Sequence, residues 1–474
     1  MAATGKIQKV QPLLLQLETN KEDYFPVTVS FGPYHHGEPE LAFVEAFKPK
    51  AVQLFISGAP ERYEFYHTKV VNIIGDIRNC YEEASVASYS DDYLSEMMLR
   101  DASLMIIYME ISTLEQIDEL MLDKLRAMRD ELGMLITLAI LSRDLLLLQN
   151  QIPLFVMELL MDLRYGAGKF DSLLNRYLCM AIYGEYREKI VCSKHVHLVE
   201  AIHMLVVSEP EKTSHGCCKC TLFSCFKVTQ ESNDAPNACY SCKLLCCPRV
   251  KKDLETGASQ QTNPGLIHQL LNFCTCKNNR RAKEDNIKKF VHSFRSVTEL
   301  KAKGIHFKPN STQSLMDVSF ESGFFYGSLQ LPEWGVSKKT RVTFMNLIAY
   351  EFNPKSPASG QVAAYISFMK SLIEKPEDVK ELREKKIFYN MLGSDEEVFN
   401  VYKDINTYGA ENPMQFSKVR DKIQEHYNSR AKTWLAEILH TNFRSPWTAT
   451  AFLAALAALG MSAGQLYFAV YPNS

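Results

Sequence analysis

From Trp447 to Tyr471, 25 consecutive residues carry no charged side chain. Crossing roughly 30 Å of hydrocarbon takes about 20 helical residues. Ala449 to Val470 supplies that length, with Trp447, Tyr467 and Tyr471 near its ends, where membrane interfaces favour aromatic rings. Arg430, Lys432 and Arg444 precede the run, and Pro472, Asn473 and Ser474 follow it. That bias predicts a single-pass transmembrane helix over 447–471 in contact with a lipid membrane, with everything upstream on the cytosolic side. A buried helix closing a soluble core is the alternative, because eight alanines make the run only moderately apolar.

A chain of 474 residues can bury a large core without crosslinks, so stability does not explain its 13 cysteines. No secretory signal opens the chain, since Gln11, Gln16 and Glu18 interrupt the apolar stretch at Pro12 to Leu15. Reducing surroundings then favour metal binding, lipidation or burial of the thiols over disulfides. A formal net charge of -2 and the lack of a long block of like charge give no polyanion-binding field, and nucleic acid is not an implied partner.

From about Val44 to Leu205, apolar residues recur at helical spacing, as in Ile106, Met109, Leu114, Ile117, Leu120, Met121 and Leu125. The apolar run Leu132 to Leu160 contains Arg143 and Asp144 and is broken by Pro153, which predicts two core helices joined at Gln149 to Pro153. Residues 208–285 lose this periodicity and read as a Cys-rich loop. Between Gly304 and Phe352, short runs rich in β-formers predict a small antiparallel sheet. Helices resume at Val362 to Ile373, Pro376 opens another, and Ser394 with Glu397 forms a capping box for the next. The expected architecture is mainly α: a leader at 1–23, a multi-helix domain at 24–440 interrupted by the 208–285 loop, a sheet at about 304–352, and the transmembrane helix at 447–471.

Several long motifs carry a resemblance. Val29 to Gly37 reads VSFGPYHHG, Asp144 to Pro153 reads DLLLLQNQIP, Asn346 to Glu351 reads NLIAYE, and Leu392 to Val398 reads LGSDEEV. With Ala302 to Ile305 and Pro446-Trp447-Thr448, these segments resemble the plant family catalogued as domain of unknown function 247, or uncharacterised protein family 0481, over roughly residues 24–471. Two departures stand out: Gln149 replaces the family's usual acidic residue, and Asp101-Ala102-Ser103-Leu104 replaces its Asp-Gly-Cys-Phe-like stretch. The Cys-rich loop also looks atypical. The resemblance implies a plant protein with one mainly helical domain, a C-terminal transmembrane helix and no established catalytic activity. Some relatives look like pollen-side determinants of grass self-incompatibility.

Cys217, Cys220, Cys239 and Cys242 form two C-x2-C pairs separated by 18 residues, a spacing that suits tetrahedral thiolate ligation of structural zinc. Other cysteines crowd the same stretch and offer competing registers. Cys246 and Cys247, beside Lys243, Arg249, Lys251 and Lys252, offer acylation instead, and an unstructured loop is the third reading. His35 and His36 sit in a turn signal, where a structural role competes with proton transfer or metal ligation. His195 and His197 cannot share a helix face with one another, which weakens a metal reading with His203 and Glu200.

Gln149, Asn150 and Gln151 are expected to satisfy backbone groups where the helix breaks, with a binding pocket as the alternative. Gly460 and Gly464 form G-x-x-x-G, which would let anchors pair in a homo-oligomer. Asn310-Ser311-Thr312 is a glycosylation sequon and hence a topology probe. No defensible catalytic constellation is present and no cofactor other than zinc is implied. The expectation is therefore a membrane-anchored interaction, signalling or recognition component with an unidentified protein partner. The alternatives are a cell-recognition determinant acting outside the cell and a hydrolase using His35, His36 and Glu351.

Overall fold

A helical stretch buried on every face has to be surrounded, and the second half of Asp91–Thr113 is such a stretch, with the run from Asp101 to Met109 all buried. The computed structural model describes residues 6–17, 21–113, 119–133, 141–184, 195–208, 295–310, 312, 314–323, 326–409, 412, 414–429 and 446–470. The chain divides into two units, Met1–Pro210 with Phe290–Ser474 and Glu211–Lys289, and all described residues belong to the first. Its first half holds α1 (Pro12–Leu17), α2 (Lys48–Ile56), α3 (Tyr63–Val71), α4 (Asp91–Thr113), α5 (Glu119–Leu132), α6 (Leu154–Tyr165), α7 (Lys169–Tyr183) and α8 (Leu198–Val207). Helices α2, α3, α6 and α7 enclose α4.

In the second half, β1 (Ile305–Asn310), β2 (Ser319–Ser322) and β3 (Gly327–Pro332) form a sheet in the order β1-β3-β2. Strand β1 alternates buried Ile305 and Phe307 with exposed His306 and Lys308, so one face meets the core. The sheet is mixed, not antiparallel as expected: β1 runs parallel to β3, and only β2 runs antiparallel to it. A parallel pair also joins β4 (Trp334–Val336) to β5 (Phe388–Asn390). Alternation identifies a strand but not the direction of its neighbour. The expected strand region also stops early, because Thr340–Phe352 is a helix, α9, buried from Val342 to Tyr350. A short, continuously apolar stretch reads alike for a buried strand and a buried helix.

Helices α10 (Gln361–Leu372), α11 (Pro376–Glu384), α12 (Asp395–Asp404) and α13 (Ser417–Asn428) follow. Pro376 occupies the first turn of α11, as predicted; at the start of α12 the Ser394 side chain accepts from the Glu397 amide, but the Glu397 side chain takes the Gly393 amide, so the expected capping box is half formed.

The C-terminal expectation is corrected. Pro446–Val470 forms one 25-residue helix, α14, but no helix among the described residues is long and apolar enough to cross a membrane. The transmembrane helix expected over 447–471, and the lipid contact it implied, are not supported. Alanine removes little apolar area from water, and Gly460, Ser462, Gly464 and Gln465 dilute the leucines further.

The halves are joined by the break at residues 144–153. The buried Asp144 carboxylate accepts from the amides of Val27, Thr28 and Val29, with the Thr28 contact at 2.7 Å. Asn150 takes the Phe31 amide at 2.7 Å and returns its own NH2 to the Val29 and Asp144 carbonyls. The Gln151 NH2 donates to the carbonyls of Leu145, Leu147 and Asn150. Leu148 donates its amide to Asn346 of α9, whose NH2 reaches the Asp23 carbonyl at 2.8 Å. VSFGPYHHG, DLLLLQNQIP and NLIAYE therefore meet in one buried polar buckle, and Asn150 and Gln151 do serve the backbone at the break.

Asp144→Ala strands the buried amides of Thr28 and Val29, each worth about 1–3 kcal/mol when unmade, and frees the part-buried Val27 amide. The expected loss is several kcal/mol in chemical denaturation, and a loss below about 1 kcal/mol would refute the buckle. Gly32 has φ +73°, and a Cβ there would stand 2.5 Å from the Gln151 carbonyl oxygen. Gly32→Ala should destabilise the fold by more than about 2 kcal/mol in the same measurement.

Candidate functional site

The buckle presents two chemically distinct places on the Val29 to Gly37 turn. The first is a charge cluster beneath it. Lys48, on α2, is fully buried and lies 2.6 Å from both Glu45 and Asp101. Asp101 also accepts the Gly32 amide at 2.7 Å, while Lys48 donates to the Ser30 carbonyl at 2.7 Å. One cation thus serves two carboxylates. Burial pushes the Asp101 carboxyl up despite Lys48. Burial also opposes ionisation of Glu45, but His36, Lys48 and Ser30 outweigh it and hold Glu45 down at about 2. Glu45 is therefore the more acidic of the two carboxylates that face Lys48.

Outward from Glu45, the His36 Nδ1 lies 3.4 Å away, and the His36 Nε2 lies 2.8 Å from the Tyr93 hydroxyl. Tyr93 stacks on Tyr89 with a 5.7 Å centroid separation. The cluster runs from exposed Tyr93 through His36 to Glu45, Lys48 and buried Asp101. Sequence reasoning missed Lys48, Glu45 and Asp101 as a group. The available signal was Asp101 itself, a carboxylate that opens the buried run Asp101 to Met109.

The second place is a cleft of about 700 Å3 between the strap 6–15, the turn 34–38 and residues Gln149, Asn353 and Lys355. The strap is tied down at a few points: the Ile7 amide donates to the Cys80 carbonyl at 2.7 Å, the Tyr34 hydroxyl to the Ile7 carbonyl at 2.8 Å, and the Val10 amide to Gln149 Oε1 at 3.3 Å. Burial raises the Tyr34 hydroxyl well above its ordinary range, so it stays a donor. His35 lines this cleft with its Nδ1 2.7 Å from Glu38 Oε1. A carboxylate can only accept, so Nδ1 carries the proton in that bond.

The structure separates residues that the hydrolase alternative grouped. His35 faces Glu38 and His36 faces Glu45. Glu351 instead pairs with His203 at 2.8 Å and accepts the Val362 and Ala363 amides at the start of α10. Cys217, Cys220, Cys239 and Cys242, with Cys246 and Cys247, lie outside the described residues. No group of three or more His, Cys, Asp or Glu side chains among the described residues could hold a metal ion. The Asn310 amide nitrogen donates to the Asp317 carbonyl at 3.0 Å, a bond that a glycan on that nitrogen would disturb. Gly460 and Gly464 lie on α14 with open space where a Cβ would stand.

UPF0481 protein At3g47200 of Arabidopsis thaliana is 26% identical over 462 residues, covering 93% of this chain and 80% of the relative. Putative UPF0481 protein At3g02645 of the same plant is 22% identical over 500 residues, covering 96% and 88%. No solved structure matches the chain. The family DUF247, described as plant protein of unknown function, matches residues 7–461, nearly the whole chain. The buckle, the charge cluster and the strap all fall inside that span, and the chain belongs to the DUF247 family of plant proteins.

Proposed function

We propose that this chain is a non-catalytic protein-interaction component, a recognition or signalling part rather than an enzyme. The observation that carries the reading is how its buried titratable groups are used. His203 and Glu351, each 2% exposed in the side chain, hold α8 to the start of α10. Glu200 accepts the Val196 amide and the Tyr350 hydroxyl. His197 caps α8 by accepting the Glu200 amide on Nδ1. Asp144 is committed to three backbone amides. A general acid or base has to be free to exchange its proton with a substrate, and these groups are tied to the chain's own backbone. Large apolar side chains left exposed, Leu13, Leu17, Val27 and Phe43, are the kind of surface a partner protein covers.

The test is direct binding of purified full-length chain to a partner first found by proximity labelling in plant tissue. Binding in the micromolar range that Leu13→Asp or Phe43→Asp weakens about tenfold supports the reading. A second reading rests on the Tyr93–His36–Glu45 chain, which alone among these groups reaches solvent through a 46% exposed tyrosine. Hydrolytic turnover of ester, phosphate or glycoside probes that is lost in both Tyr93→Phe and His36→Gln would establish it and overturn the interaction reading.

The His197 cap needs a neutral ring, because Nδ1 accepts a hydrogen bond. Burial lowers its pKa from the ordinary 6.5 to about 4, against the opposing pull of Glu200. As pH falls from about 6.5 to 4, the unfolded chain takes up this proton before the folded one, and stability drops. The contribution of this group should be fully present above pH 6.5 and shrink by up to about 3 kcal/mol by pH 4. His197→Asn, which keeps a cap without a proton to gain, should flatten that part of the profile in chemical denaturation.

A further inference from the structure

The walls of the 700 Å3 cleft combine three kinds of chemistry. Phe25, Tyr34, Ile7 and Leu15 supply an apolar face. Gln8 Oε1 and His35 Nε2 are buried without a hydrogen-bond partner. Gln8 Oε1 can only accept and so calls for a donor, while His35, with Nδ1 turned to Glu38, leaves Nε2 for the polar group of an occupant. Lys6, Lys9 and Lys355 also line the cleft and form no ion pair within 4 Å among the described residues. Lys9 lies over the Tyr34 ring, 4.8 Å from its centroid, and Lys6 reaches only the Tyr81 carbonyl at 3.3 Å. Two carboxylates line the cleft with them, Glu38, which faces His35, and Glu82, so the three lysines outnumber the carboxylates by one.

We propose that this cleft binds a small amphipathic organic acid. Its apolar body lies against Phe25 and Tyr34, a hydroxyl or N–H is donated toward His35 and Gln8, and its carboxylate is held by Lys9 and Lys355. The volume falls in the roughly 300–1,000 Å3 range of small-ligand sites, and an apolar wall with a few convergent polar groups is their usual composition. Buried polar groups without partners carry a free-energy penalty that a ligand donor removes. The excess of unpaired lysines selects an acid over an amine. Because the strap 6–15 forms one wall, an occupant bridges it to the turn 34–38 and fastens it. This goes beyond the interaction reading and does not rest on it.

The test uses the full chain and 3-phenyllactate, which has an aromatic body, one hydroxyl and one carboxylate. Calorimetry is expected to show saturable binding with Kd near or below about 1 mM. Hydrogen exchange at residues 7–15 should slow in the same mixture. The neutral analogue 3-phenylpropane-1,2-diol, which lacks the charge, should bind at least about tenfold more weakly, as should 3-phenylpropionate, which lacks the hydroxyl. Lys9→Glu with Lys355→Glu should cost the acid a similar factor with an unchanged circular dichroism spectrum, and exposed Lys355→Ala serves should the double variant not fold. No saturable binding by about 5 mM, equal binding of acid and diol, or wild-type affinity in the lysine variants would overturn the proposal.

Discussion

Two oxygens of Asp144 hold three consecutive amides of the chain more than 110 residues upstream, and the arrangement of both halves follows from that contact. The irregular segment Thr28 to Phe31 is buried and pairs with no strand among the described residues, so side chains must take its amides. Asp144 and Asn150 do so, with Asn150 also receiving the demands of its own helix break. Burial pushes the Asp144 carboxyl up, while the Thr28 and Val29 amides and Arg143 act to keep it ionised. Once the upstream segment is fixed, Gly32 is pressed against the Gln151 carbonyl and its amide is delivered to Asp101. The cleft and the charge cluster are both consequences of where this segment ends.

The charge cluster shows why that end point tolerates little change. A buried ammonium is expensive unless paired, and removing one member of a buried pair leaves an uncompensated charge. Lys48 faces two carboxylates, so a lost partner need not strand it. Glu45 stays in contact with the surface, held down by His36 and Lys48, whereas Asp101 is fully enclosed and pushed up. The arrangement places the more acidic carboxylate at the rim and the one that burial pushes up in the core. Ser30 links them, donating to Glu45 at 2.9 Å while its carbonyl accepts from Lys48.

The helical first half was legible because apolar spacing in α4 and its neighbours is strong and long, and capping residues such as Ser394 act locally. The role of Asn150 and Gln151 was legible for the same reason, since a helix broken at Pro153 frees carbonyls within a few residues. What escaped depended on partners distant in sequence. Nothing in Ile305–Asn310 says that its neighbour runs parallel, and nothing in Thr340–Phe352 distinguishes a helix buried on all sides from a buried strand. His35, His36 and Glu351 looked like one group only because each is a titratable residue inside a motif. Their partners are Glu38, Glu45 and His203. At Trp447 to Tyr471, freedom from charge was a weaker criterion than apolar area, which small residues do not supply.

The strap 6–15 is where the physical balance is finest. Burial of Ile7, Val10 and Leu14 contributes about 1.5–3 kcal/mol for each side chain. Ordering each residue of the strap costs about 1–2 kcal/mol in backbone entropy. The hydrogen bonds to Cys80, Tyr34, Gln149 and Phe352 are few and spaced apart, so they add to the hold without zipping it. In α4, by contrast, the run from Asp101 to Met109 is enclosed on all sides. A segment whose gains and costs are of the same order is the first to open and the most responsive to anything that adds contacts on its inner side. Its inner side is the cleft, and an occupant touching both strap and turn acts on the equilibrium with its full differential affinity. Gln149 belongs here as well, because its neutral amide accepts the Val10 amide without adding a third carboxylate to a cleft that already contains Glu38 and Glu82.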